Sequence, residues 1–109
     1  MDIISSPKNE KIKELVKLQT TKGRKKAGMY LLEGEHLVEE AVKENAPIEL
    51  IVVSSNRLED YQLLLSQTNA QLLVVSQDVF QKLSMTETTQ GILAVVEIVK
   101  QEAYLKTVV

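Results

Sequence analysis

The sequence predicts an α/β fold in which a sheet lies between two layers of helices. Short apolar runs alternate with amphipathic segments along the chain, a pattern typical of α/β domains. The strand candidates are nearly continuous apolar runs, which favours a sheet covered on both faces. The length of 109 residues indicates one domain with a modest core, and four aromatic residues make that core largely aliphatic.

The first predicted helix spans residues 7–20. Ser5-Ser6-Pro7 is a typical helix start, with a serine cap and proline in the first turn. Ile12, Leu15 and Val16 then follow the i, i+3, i+4 spacing of one apolar face. Gly23 and Gly28 bracket the next segment and predict a loop or a short irregular helix there.

Three further helices and four strands follow. Residues 36–44 form an amphipathic helix, with Leu37, Val38, Ala41 and Val42 predicted on its inner face. The other predicted helices are residues 58–67 and a short helix capped by Ser76, with a polar loop over residues 84–91. The predicted strands are residues 29–32, 48–54, 71–75 and 92–99.

Charge is unevenly distributed along the chain. Eight of the thirteen basic residues lie in positions 1–28 with three acidic residues, for a net charge of +5. The remaining residues carry a net charge of −7, so the overall value of −2 conceals a basic N-terminal segment. Such asymmetry indicates a candidate phosphate-binding surface.

Several classes of protein are excluded or disfavoured. The absence of cysteine excludes disulfides and thiolate metal sites. The longest apolar runs, residues 72–75 and 92–96, are far shorter than the ~20 residues that span a bilayer. The N-terminus has no signal-peptide pattern, so a cytoplasmic location is the default expectation, with no membrane partner.

The residues indicate no catalytic, cofactor or metal site. The single histidine, His36, is more typical of a surface or packing position than of a catalytic base. Glu33 and Glu35 flank Gly34 at a helix start, where carboxylates interact favourably with the helix dipole, so they favour a solvated face over an acid–base pair. No phosphate-binding loop or metal-ligand spacing is present.

Two polar segments remain as binding candidates. Lys22, Arg24, Lys25 and Lys26 could contact a nucleic-acid backbone, with Lys8 and Asn9 at a helix start as further anion contacts; the alternative is ordinary solvated charge. The loop before the last strand could hydrogen-bond bases, riboses or phosphates, or could be an ordinary strand entry. Its candidate residues are Thr86, Thr88, Thr89, Gln90 and Gly91.

Taken together, these segments resemble the N-terminal substrate-binding domain of SpoU/TrmH-type RNA 2′-O-ribose methyltransferases. The resemblance covers nearly all of residues 3–97. It is carried by the following motifs, in this order: Ser6-Pro7-Lys8-Asn9, Lys13-Glu14-Leu15, Arg24-Lys25-Lys26, Gly28-Met29-Tyr30-Leu31-Leu32-Glu33-Gly34, Leu37-Val38-Glu39-Glu40-Ala41, Ile51-Val52-Val53 and Thr86-Glu87-Thr88-Thr89-Gln90-Gly91-Ile92-Leu93-Ala94-Val95.

The resemblance implies a three-layer α/β/α sandwich similar to the ribosomal kink-turn-binding proteins. It also implies RNA as the partner, ribosomal RNA ahead of transfer RNA. S-adenosylmethionine, the catalytic arginine and the dimer contacts would belong to a separate C-terminal knotted domain. We therefore expect residues 1–99 to form the RNA-binding domain and residues 100–109 to begin a linker. The 109-residue chain would be a cofactor-free monomer, and the longer protein a homodimer.

With the resemblance, the predicted RNA-binding set has twelve members: Lys8, Asn9, Lys22, Arg24, Lys25, Lys26, Glu33, Gly34, Thr86, Thr89, Gln90 and Gly91. Glu33 is expected to orient a basic side chain or cap a turn. Thr89 stands where the family more often has proline, which predicts a looser loop because proline would fix φ. The alternatives are a stand-alone kink-turn-type RNA-binding protein and a domain whose basic segment contacts an acidic protein.

Overall fold

A five-stranded mixed sheet separates two layers of helices in the computed structural model, which describes residues 2–98. The strands are β1 (Ile3–Ile4), β2 (Met29–Glu33), β3 (Ile48–Ser54), β4 (Gln71–Val75) and β5 (Ile92–Glu97). The helices are α1 (Glu10–Val16), α2 (Thr21–Ala27), α3 (Glu35–Lys43), α4 (Gln62–Leu65) and α5 (Gln77–Leu83), with 3₁₀ turns at Lys17–Gln19 and Ser55–Tyr61.

The strand order is β1-β4-β3-β5-β2. β1, β4 and β3 are parallel, whereas β5 runs antiparallel to both β3 and β2. The start of β5 therefore lies beside the carboxyl ends of its two neighbours. In the register, Ile92 pairs with Val53 and Leu93 pairs with Glu33.

Each face of the sheet has its own aliphatic core. Side chains of α1 and α5 pack on one face against Leu93 and Val95, among others. Side chains of α3, α4 and the turn before α4 pack on the other face against Ile92, Ala94 and Val96. The alternation follows from the two-residue period of a strand. The predicted α/β/α sandwich is confirmed.

The first element is a strand that the sequence pattern did not predict. Ile4 pairs with Val75 in β1, so α1 begins later than expected. Its N-cap is Asn9, whose Oδ1 accepts hydrogen bonds from the backbone N–H groups of Lys11 (2.8 Å) and Ile12 (3.4 Å). The prediction of a helix start at Ser5-Ser6-Pro7 was wrong, since a serine followed by proline is also compatible with a turn before the helix.

The basic segment forms a regular helix rather than a loop. Thr20 caps α2 by accepting from the N–H of Gly23 at 3.0 Å, and Gly28 ends it in the left-handed conformation with φ of 70°. Gly23 permits a close approach to the preceding turn, because a Cβ there would lie 1.8 Å from the carbonyl oxygen of Lys17.

Other element boundaries also differ from the predictions. Leu37 is 47% exposed rather than on the inner face of α3, where Val38 and Ala41 are buried. The predicted helix 58–67 is a 3₁₀ turn followed by the short α4. The predicted strand 29–32 is β2, which is half-buried and, among the strands of residues 2–98, pairs with β5 alone. The last strand ends at Glu97; Val99 and the predicted linker 100–109 lie outside the described residues.

α3 is the longest helix in residues 2–98 and has nine residues. Within that range no helix is long and apolar enough to cross a membrane.

We predict that Gly23→Ala lowers the free energy of unfolding by about 2 kcal/mol, because the added methyl group would overlap backbone atoms and force α2 away from the turn at Lys17. Urea denaturation followed by circular dichroism measures the change. Lys22→Ala, at an exposed neighbouring position, is the control and should alter stability by less than about 0.5 kcal/mol. A Gly23→Ala protein as stable as this control would contradict the prediction.

Candidate nucleic-acid interface

Three loops meet at one end of the sheet. They follow β2 at Glu33, follow β3 at Ser54 and precede β5 at Gly91. The N–H of Gly34 donates to the carbonyl of Ile92 at 3.0 Å, and the N–H of Ser54 donates to the carbonyl of Gly91 at 2.9 Å. We call this the strand-end surface, comprising residues 33–35, 54–61 and 84–91.

The Glu33 carboxylate holds the loop 84–91 in place. Its Oε1 accepts from the N–H of Met85 at 2.7 Å. Its Oε2 accepts from the hydroxyls of Ser84 at 2.5 Å, Thr89 at 2.8 Å and Thr86 at 3.4 Å. Hydrogen bonds to a charged acceptor are stronger than those between neutral groups. Among the described residues the carboxylate pairs with no basic side chain and accepts from the turn at residues 84–86, so the structure matches the second of the two expected roles, capping a turn.

Thr89 restrains the loop through its side chain. Its hydroxyl donates to Glu33 at 2.8 Å and accepts from the N–H of Gly91 at 3.1 Å. These two bonds restrain the backbone at the position where a proline would restrain it through its ring.

Gln90 joins the loop to two other elements. Its side-chain Oε1 accepts from the N–H of Glu35 at 2.8 Å, at the start of α3. Its backbone carbonyl accepts from the buried Tyr61 hydroxyl at 2.6 Å. The side chain remains exposed, and its amide NH₂ is available to a ligand. Gly34, with φ of 111°, allows this approach, since a Cβ there would lie 3.2 Å from Oε1 of Gln90.

Arg57 supplies a cation to the strand-end surface. Its Nε donates to Oδ2 of Asp60 at 2.6 Å, and the guanidinium carbon lies 5.4 Å from the centre of the Tyr61 ring. The hydrogen bond with Asp60 raises the pKa of Arg57, while burial raises the pKa of Tyr61. Neither Arg57 nor Tyr61 was among the predicted site residues; the available signal was that Asn56-Arg57 lies one residue after a predicted strand.

The basic residues of the N-terminal segment lie apart from this surface, on α2 and at the start of α1. Arg24 is largely occupied, because Nη1 donates to the carbonyl of Leu18 at 3.1 Å and Nη2 to the hydroxyl of Thr21 at 3.0 Å. Lys22, Lys25 and Lys26 are exposed and form no ion pair with residues in the range 2–98. We call these three the lysine cluster.

The predicted site residues therefore form two groups. The strand-end surface joins six of them: Glu33, Gly34, Thr86, Thr89, Gln90 and Gly91. The other six lie on α2 or directly before α1, in the part of the fold that we call the helical layer: Lys8, Asn9, Lys22, Arg24, Lys25 and Lys26. Asn9 uses its side-chain oxygen to cap α1. Gln19 links the two groups, because its Nε2 donates to the carbonyls of Lys82 (2.8 Å) and Leu83 (3.0 Å), directly before the loop held by Glu33.

A family model, the MRM3-like substrate binding domain, matches residues 9–94. The chain belongs to this family. The MRM3-like domain is 41% identical over 95 residues to the 23S rRNA (guanosine(2553)-2′-O)-methyltransferase RlmP of Bacillus subtilis, covering 87% of this chain and 37% of that protein. It is 33% identical over 94 residues to an uncharacterised tRNA/rRNA methyltransferase of Synechocystis, covering 84% of this chain and 34% of that protein.

Solved structures share the fold of the MRM3-like domain. An RNA 2′-O ribose methyltransferase matches with a TM-score of 0.80 at 28% identity, over 92% of this chain and 39% of that chain. The AdoMet-bound rRNA methyltransferase of Sinorhizobium meliloti matches with a TM-score of 0.72 at 19% identity, over 90% of this chain and 37% of that chain. The resemblance to SpoU/TrmH-type substrate-binding domains is confirmed, and the chain spans a little over a third of these relatives.

We predict that Glu33→Ala lowers the free energy of unfolding by about 2 kcal/mol, because four donors lose a charged acceptor. Hydrogen exchange should show reduced protection at the N–H of Met85, and urea denaturation gives the free energy. Glu35→Ala is the matched control: this carboxylate accepts no hydrogen bond from residues 2–98, and its removal should cost about 0.5 kcal/mol through the helix dipole. Equal effects of the two variants would refute the role of Glu33.

We predict that the stability advantage of the wild type over Tyr61→Phe depends on pH. Near neutral pH it should be about 1 kcal/mol, from the bond to the Gln90 carbonyl. Because the pKa of Tyr61 is raised on folding, this stabilisation is complete below the unfolded value of about 10 and declines as the pH rises through the folded value.

Urea denaturation across this pH range tests the effect. Tyr30→Phe serves as the control, since that hydroxyl forms no hydrogen bond within the described part of the chain. A difference between wild type and Tyr61→Phe that stays constant with pH would contradict the assignment.

Proposed function

We propose that this chain is the RNA-recognition domain of an S-adenosylmethionine-dependent 2′-O-ribose methyltransferase, with ribosomal RNA as substrate. Its task would be positional: it binds the RNA and places one ribose hydroxyl in the active site of a second domain. The observation that carries the proposal is the ordered strand-end surface. There Glu33 and Thr89 hold a loop whose exposed members include Thr86 and Gln90.

Such a surface suits RNA recognition because its donors and acceptors are fixed before the ligand arrives. The Thr86 and Thr88 hydroxyls and the Gln90 amide can hydrogen-bond unpaired bases or ribose 2′-hydroxyls. Little conformational entropy is lost on binding when the loop is already ordered. Gly34 and Gly91 belong to this surface through their backbones, which adopt the positive φ that glycine allows.

The helical layer would contribute the electrostatic part of binding. In our proposal the lysine cluster and Lys8 contact phosphates, a role suited to flexible exposed ammonium groups. Arg24 and Asn9 act mainly by holding α2 and α1 in shape, since both side chains already make internal hydrogen bonds. Gln19 connects this layer to the start of the loop 84–91 through its hydrogen bonds to the carbonyls of Lys82 and Leu83.

The names of two relatives further support the proposed function. RlmP is a 23S rRNA 2′-O-methyltransferase, and the Sinorhizobium structure is an AdoMet-bound rRNA methyltransferase. S-adenosylmethionine would supply the methyl group. The resemblance places the cofactor in a second domain, so residues 2–98 would contribute RNA binding.

We keep three further expectations as part of this proposal. The 109-residue chain is a monomer, the longer protein is a homodimer, and both act in the cytoplasm.

We predict that the chain binds RNA in a salt-dependent way and does not methylate it. Fluorescence anisotropy with a labelled RNA stem-loop at low and moderate salt measures the affinity. Replacing Lys22, Lys25 and Lys26 together by alanine should reduce the slope of log K against log salt by about 0.7 for each single-strand phosphate that these lysines neutralise. Affinity should fall at least about tenfold.

The matched control replaces the same three lysines by arginine and should retain most of the affinity, because the charge is kept. The proposal fails if the wild type shows no affinity for RNA at low salt. The assignment of the lysine cluster fails if the alanine variant binds as tightly as the arginine variant.

A further inference from the structure

A small polar pocket lies beside the loop 84–91, where the strand-end surface meets α5. Its volume is about 60 Å³. The polar side chains that line it belong to Ser54, Asn56, Arg57, Gln77, Gln81 and Thr89. Arg57 is the only charged residue among these lining residues of the described chain.

Arg57 is held in place before any ligand binds. Asp60 engages the guanidinium through Nε, and the Tyr61 ring packs against it. The Tyr61 hydroxyl is also a neighbour of the guanidinium, but Nη1 and Nη2 donate to no carboxylate or backbone carbonyl within residues 2–98. The outer edge of the guanidinium therefore presents two donors in the fork geometry that matches two oxygens of one phosphate.

The surrounding groups favour an anion of small size. The hydroxyl of Ser54 bonds to Oδ1 of Asn56, which leaves the Asn56 amide NH₂ as a donor, and Gln77 carries a second side-chain amide. A volume that holds a few water molecules accepts the oxygens of a phosphate but not a nucleobase. The aliphatic stem of Arg57 packs closely on Gly91, since a Cβ there would lie 2.8 Å from Cγ of Arg57.

We propose that Arg57, with the amides of Asn56 and Gln77, forms a subsite for one phosphodiester group of the bound RNA, an inference that rests on the proposed function and adds a residue to it. Arg57 would be the cationic anchor of the strand-end surface. A phosphate held here lies next to Thr89, whose neighbours Thr88 and Gln90 then face the adjoining nucleotides.

The test compares Arg57→Gln with Lys43→Gln in the 109-residue chain. Lys43 is a control because it too is a cation paired with a carboxylate on its own helix, Glu39 at 3.0 Å, but it is exposed and lies at the far end of α3. Two labelled RNA stem-loops with permuted loop sequences are titrated over a range of salt concentrations. Thermal unfolding establishes that each variant is folded.

We expect Arg57→Gln to weaken binding of both RNAs about tenfold and equally, and to reduce the slope of log K against log salt by about 0.7. Lys43→Gln should change neither quantity appreciably. Arg57→Lys, which keeps the charge but not the fork, should fall between the wild type and Arg57→Gln.

Three results separate the ways in which the inference can fail. If wild type binds neither RNA, the proposed function itself is wrong. If wild type binds but Arg57→Gln behaves as Lys43→Gln does, the subsite is wrong while the proposed function stands. If Arg57→Gln weakens one RNA sequence much more than the other, Arg57 reads a base and the phosphate assignment is overturned.

Discussion

The antiparallel placement of β5 between β2 and β3 is the constraint on which the rest of the structure depends. Ile92 to Val96 are all nearly inaccessible, and they alternate between the two cores. A parallel β5 would carry its first residues to the opposite end of the sheet. Because β5 is reversed, the polar loop before it meets the ends of β2 and β3, and the strand-end surface exists only for that reason.

Glu33 adds a second level of organisation at that surface. A half-buried carboxylate at the end of an edge strand needs donors, and the loop 84–91 supplies a backbone N–H and three hydroxyls. Tyr61 anchors the same loop from the opposite helical layer through the Gln90 carbonyl. The candidate interface is thus built from side chains of both layers, and Gln90 both holds the loop in place through its oxygens and offers its exposed amide NH₂ to a ligand.

The sequence was most informative where local pattern and tertiary context agree. β3 and β4 have the predicted bounds, and Ser76 caps α5 as expected, because apolar runs and N-caps are local signals. β1 was missed because two residues carry no period, and its pairing with β4 is visible only in three dimensions. The helix start was misplaced for the same reason: with residues 3–4 in a strand, the N-cap of α1 is Asn9 and not Ser6.

The sequence predicted many of the residues that form the candidate site, but not what each of them does there. Thr86, Thr89 and Gln90 were found from their polar groups before a strand, yet the partner of the loop is a carboxylate more than fifty residues away. Arg24 was one of the predicted RNA contacts, but internal acceptors occupy its guanidinium. Arg57 was not predicted because a single arginine after a strand belongs to no sequence motif, and because its orientation depends on contacts with Tyr61 and Asp60.

The concentration of positive charge in the first 28 residues also affects how the molecule meets a partner. With a net +5 in that segment and −7 in the rest of the sequence, positive charge is concentrated in one part of the chain although the total charge is only −2. A polyanion would attract the helical layer that carries α1 and α2 and repel the acidic remainder. Encounters would therefore be oriented before contact, and the association rate would be sensitive to ionic strength.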